Sequence, residues 1–92
     1  MVFMGDKRMG NRTNIMARAE AMWVDSAGNP HVAPVMLEET SPLGACVRMQ
    51  EPIRVGSKIT VKWQREQFSG TVRHFKRDES DYIVGIARDA AR

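Results

Sequence analysis

The chain has 92 residues, 42% hydrophobic and 27% charged, with 14 lysines and arginines against 11 acidic residues for a formal charge of +3. That length supports one modest core and no second domain, and the composition excludes a disordered tail. The single cysteine, Cys46, excludes an internal disulfide and a Cys-based metal cluster.

The N-terminus, Met1 to Asp6, lacks the apolar core of a signal peptide, and no apolar run reaches the roughly 20 residues of a bilayer span, so a cytoplasmic location is expected. Lys7-Arg-Met-Gly-Asn-Arg12 follows, with Arg8 and Arg12 four positions apart. On a helix that interval would place both guanidinium groups on one face. Gly10 and Asn11 argue against a helix, so the pair is read on a loop, as part of a flexible arm over residues 1–12 ahead of a domain over 13–92.

Ile15 to Val24 admits two readings. Its Met-Ala-Arg-Ala-Glu-Ala-Met composition favours helix, with Ile15, Ala19, Met22 and Trp23 on one helical face, yet the segment also alternates, with Ile15, Ala17, Ala19, Ala21 and Trp23 on one side. A tight turn at Asp25-Ser-Ala-Gly-Asn-Pro30 and another apolar stretch at hairpin distance make strand the expectation. Pro34 within His31-Val-Ala-Pro-Val-Met-Leu37 places the second strand at an edge or a bulge. Ala45, Val47 and Met49 alternate against Cys46, Arg48 and Gln50, as do Ile59, Val61 and Trp63 against Lys58, Thr60, Lys62 and Gln64. Phe68, Gly70 and Val72 repeat the pattern, and Tyr82 to Ala87, apolar on both faces, suits a central strand. The segments Glu51–Ser57 and Arg77–Asp81 carry connection chemistry. Short strands at this spacing suggest a small antiparallel barrel or sandwich.

Between the second and third strands, Glu39-Thr-Ser-Pro-Leu-Gly-Ala45 offers the Ser41 hydroxyl and, at Gly44, a residue suited to a sharp turn. The order of these features is more specific than any one of them. Arg-x-x-x-Arg on an N-terminal loop precedes a hairpin and then acidic-x-Ser-x-x-Gly entering a strand. Pro52-x-x-x-Gly56-x-x-x-x-Val61 and a final Tyr82-x-Val-Gly-Ile86 complete it. Over roughly residues 7 to 88 this resembles the PilZ domain. Arg8 and Arg12 match that family's arginine pair, Lys7 stands where a further basic residue is frequent, and Ser41 and Gly44 match its Asp/Asn-x-Ser-x-x-Gly motif. Glu39 occupies the first position of that motif in place of asparagine or aspartate.

The resemblance implies an all-β, six-stranded antiparallel barrel that binds the bacterial second messenger cyclic di-GMP and passes the signal to an effector protein, here unidentified. The implied ligand residues are Arg8, Arg12, Glu39, Ser41 and Gly44, with Lys7 and Asn11 secondary. No catalytic residue, metal or further cofactor is implied. The chemistry agrees, because a guanidinium forks onto a phosphate or onto guanine O6 and N7 and also stacks on the base. Glutamate at position 39 keeps an acceptor for guanine N–H donors but reaches one methylene further and brings charge toward the phosphates.

Two other classes compete. A PilZ-like module that works through protein contact alone would need none of these residues. A basic nucleic-acid-binding barrel would draw on Arg48, Lys58, Lys62, Arg65, Arg73, Lys76 and Arg77, but acidic residues interrupt that set and no aromatic stacking row accompanies it. An enzyme is not expected, since His31 and His74 have no companion nucleophile or acid/base partner in the sequence. Trp23 and Trp63 are expected in the core.

Overall fold

A computed structural model describes residues 13–89. Among the described residues there are six strands and no helix: β1 (Thr13–Val24), β2 (Pro30–Thr40), β3 (Gly44–Met49), β4 (Lys58–Trp63), β5 (Glu66–Asp78) and β6 (Asp81–Arg88). Every pairing is antiparallel, and the strands close in the order β1-β2-β3-β6-β5-β4 with β4 returning to β1. The fold is therefore the six-stranded antiparallel barrel expected from the sequence.

The strand reading of Ile15–Val24 is the correct one. A helix of that length gains little by itself, whereas β1 pairs with β2 from Thr13↔Thr40 to Val24↔Pro30 and with β4 from Glu20↔Lys62 to Trp23↔Ile59. Those ladders satisfy the backbone and bury Ala21 and Trp23. The interior also takes Ala33, Val35 and Leu37 from β2, Val47 and Met49 from β3, Ile59 and Val61 from β4, Val72 from β5, and Val84 and Ile86 from β6. Each fully buried aliphatic side chain contributes about 1.5–3 kcal/mol relative to exposure. Trp23 is a core residue, and the half-buried Trp63 packs against that core.

β3 and β4 are consecutive in sequence but not neighbours in the sheet, so residues 50–57 cross one end of the barrel. Ile53 plugs that end at 4% exposure. The crossing is tied to β5 by Gly56 N–H donating to the Val72 carbonyl at 2.8 Å and Val72 N–H donating to the Ser57 carbonyl at 2.9 Å. Pro34 lies opposite Glu20 of β1, on a part of β2 that β3 does not reach, since the β2–β3 ladder runs only from Met36↔Arg48 to Thr40↔Ala45. Its missing N–H thus falls on a stretch with one strand partner, as an edge proline requires.

Candidate functional site

Two irregularities in the ladders build one surface. The first is in β2, where Leu37 pairs with Val47 but Glu39, not Glu38, pairs with Cys46. In a regular strand Glu39 would point to the same side as the buried Leu37. The extra residue turns Glu39 outward, onto the face that carries Cys46. Glu38, the inserted residue, is held by Arg48, whose Nε donates to Glu38 Oε2 at 2.9 Å. Arg48 also binds Asp78 at 2.9 Å and Asp81 at 3.4 Å, so one guanidinium fastens the β2 bulge to the β5–β6 turn. Glu38 first and Asp78 second hold Arg48 even more firmly protonated than an ordinary arginine.

The second irregularity is in β5. Val72 pairs with Ile86 and His74 with Gly85, leaving Arg73 as the inserted residue. His74 is thereby set on the outer face, with its ring directly over Gly85. A Cβ at position 85 would lie 2.4 Å from the imidazole. Across β2, β3, β6 and β5 the outer face reads Glu39, Cys46, Gly85, His74 in register. Together with Ser41, Gly44 and Arg73 these residues line an open recess of about 330 Å³.

The β2–β3 connection forms one wall of that recess. Ser41 Oγ accepts from the Leu43 amide at 3.2 Å and the Gly44 amide at 3.1 Å, while Ser41 N–H donates to the Gly44 carbonyl at 2.9 Å. The Ser41 hydroxyl therefore shapes the loop. Gly44 has a reason different from the sharp turn expected of it. It is not in the left-handed region, and an added Cβ would stand 2.7 Å from the Ile86 carbonyl oxygen. Close approach of β6 to β3, and not turn conformation, requires glycine here.

Of the ligand residues expected from sequence, Glu39, Ser41 and Gly44 are brought to this one recess. Lys7, Arg8, Asn11 and Arg12 lie outside the described residues. The register nevertheless fixes where the chain that bears them joins the barrel, because β1 begins with Thr13 opposite Thr40 and Asn14 opposite Glu39. Sequence reasoning missed Arg73 and His74 as lining residues. The available signal was Gly85 inside an apolar strand, a mark of close approach by another group.

His31 is far from this recess in register, opposite Trp23. Its ring stacks on Trp23 at 5.1 Å and bonds Asp25 Oδ2 at 2.8 Å. That bond, with the Asn29 amide next in weight, holds the Asp25 carboxyl at a pKa of about 2. Among the described residues no group of histidine, cysteine and carboxylate side chains is placed to hold a metal ion, and no helix is long and apolar enough to cross a membrane. In comparisons with known proteins, no family model matches this chain and no curated protein matches it.

Proposed function

We propose that this barrel is a receptor for cyclic di-GMP, as the resemblance to PilZ domains implies, with Arg8 and Arg12 closing over a ligand seated against Glu39, Ser41 and Gly44. The observation that carries this reading is the start of β1. Arg12 is joined directly to Thr13, and Thr13 and Asn14 lie opposite Thr40 and Glu39. The barrel therefore begins opposite the acidic-x-Ser-x-x-Gly segment, about 30 residues away in sequence, which supports a site shared by that segment and the arginine pair. A bis-phosphate ligand with two guanine faces suits a pair of planar cations acting together with a carboxylate acceptor for the base.

Competing nucleic-acid binding has less support. Of the seven basic residues it would use, Arg48 is tied to three carboxylates, Lys58 to Asp89, and Arg77 to the Glu79 carbonyl. A reading through protein contact alone gains something from Val24 and Val32, exposed at 58% and 62% on adjoining strands. In the receptor reading the same apolar strip is available to the effector.

Calorimetric titration with cyclic di-GMP, with GTP and single-stranded DNA as competitors, tests the proposal. Arg8→Ala and Arg12→Ala should each weaken binding by about 1.5–3 kcal/mol, the range for hydrogen bonds to charged groups, and Lys62→Ala should leave it unchanged. Even losses across the barrel's basic residues, with competition by DNA, would replace the proposal with nucleic-acid binding.

A further inference from the structure

Arg88 ends β6 where that strand passes the β2–β3 loop. Its guanidinium lies 4.4 Å over the Phe68 ring. Nη1 donates to the Ser41 carbonyl at 2.9 Å and to Thr40 Oγ1 at 3.4 Å, and the Arg88 backbone amide donates to the Leu43 carbonyl at 2.9 Å. A guanidinium carries five N–H donors in one plane. With the two on Nη1 engaged, the edge formed by Nε and Nη2 meets no acceptor among the described residues. That edge presents two parallel N–H groups, the fork that receives a carboxylate or a phosphate.

Arg88 also has no carboxylate partner among the described residues, whereas Arg48 has three. It borders a recess of about 400 Å³ with Thr40, Ser41, Trp63 and Phe68, and Glu66 shares the rim without forming an ion pair to it. Holding a half-buried cation without a counter-ion sacrifices hydration for no Coulombic return. The stacking and the two tethers have already removed its rotamer freedom, which lowers the entropy lost on binding. The Thr40 to which Arg88 donates is the residue opposite Thr13, where the chain from Arg12 enters the barrel.

We infer that Arg88 binds a phosphate group on its Nε/Nη2 edge. Assigning that phosphate to cyclic di-GMP rests on the function proposed above, but the oxyanion fork does not.

The test uses Arg88→Gln, which keeps a donor for the Ser41 carbonyl but removes the fork and the charge. Wild type and variant are titrated with cyclic di-GMP and, separately, with pyrophosphate, followed by amide and arginine side-chain NMR. Pyrophosphate should shift the Arg88 Nε–H and the Thr40 amide in wild type, and the Thr40 response should vanish in the variant. Cyclic di-GMP should bind the variant about tenfold more weakly and with less dependence on salt, while the Leu43 and Gly44 amides of the free variant stay in place. No pyrophosphate shift at the wild-type Arg88 Nε–H overturns the inference and leaves the receptor reading intact, and equal affinity of the two proteins for cyclic di-GMP overturns the assignment of the phosphate to that ligand. Pyrophosphate shifts centred on Arg88 in a wild type that ignores cyclic di-GMP support the fork and defeat the receptor reading. If Leu43 and Gly44 move in the free variant, the wild-type Nε–H response decides: a shift with pyrophosphate supports the fork, and shifts spread over Lys62, Arg65 and Arg73 overturn it.

Discussion

Replacing Gly44 by alanine should damage the fold and the recess together. The new Cβ would stand 2.7 Å from the Ile86 carbonyl oxygen, where ordinary contact begins near 3.4 Å, so about 0.7 Å must be found. Neither side yields easily, because both atoms belong to the β3–β6 ladder, with Gly44 opposite Ala87 and Ala45 opposite Ile86. Moving β3 would also stretch the 2.9 Å bond between Ser41 N–H and the Gly44 carbonyl. Overpacking of this kind costs about 1–3 kcal/mol. Gly85→Ala is the control. Its Cβ would meet the His74 ring, which is an exposed side chain and can swing away, so the loss should stay near 0.5 kcal/mol, the range of surface substitutions. Urea denaturation of the two variants beside wild type measures both losses. A Gly44→Ala protein as stable as wild type, or a Gly85→Ala protein equally impaired, would refute the claim that strand approach dictates Gly44.

Three further outcomes are expected. Leu37→Ala, which empties a fully buried site in the middle of β2, should cost about 2–5 kcal/mol in the same denaturation assay. Asp25 has a folded pKa of about 2 against 3.8, so its contribution to stability is complete above pH 4 and is lost as pH falls from about 4 toward 2. In His31→Gln the carbon-detected titration of Asp25 should move up toward 3.8, and a midpoint that stays near 2 would show that the backbone amides alone depress it. Glu39→Asn should tighten cyclic di-GMP binding, since a carboxylate and a phosphate about 6 Å apart at an effective dielectric near 20 repel by about 3 kcal/mol before salt screening. Calorimetry at two pH values checks this: the gain should shrink at low pH, and unchanged or weaker affinity would mean that Glu39 does not face the ligand.

Alternation made β3, β4 and the first part of β5 legible in the sequence, because each shows period two over a half-buried face, while β6 was legible as a run apolar on both faces. β1 was harder, since alanine and methionine favour helix and only the following hairpin pointed to strand. The bulges at Glu38 and Arg73 were not legible. One inserted residue leaves no mark in composition, and its effect appears only when the partner strand fixes the register. For that reason Glu39 could be named while its outward aim could not, and His74 was read as an ordinary surface histidine. The β4–β5 turn was hidden differently: Gln64 takes a positive φ of 56°, a conformation for which glutamine gives no signal. The setting of Arg88 was equally hidden, because its partners, Thr40, Ser41 and Phe68, meet only across the closed barrel.

In the function proposed above, cyclic di-GMP sits between the arginine pair and the recess on the outer face of β2, β3, β6 and β5. Amide NMR of the wild-type protein during titration with cyclic di-GMP tests it most directly. Saturable shifts are expected at Arg8 to Asn14, Glu39 to Cys46, Arg73, His74 and Arg88, with the Asp25–His31 hairpin unmoved. No shifts at saturating ligand, or shifts centred on the Val24 and Val32 strip, would contradict it.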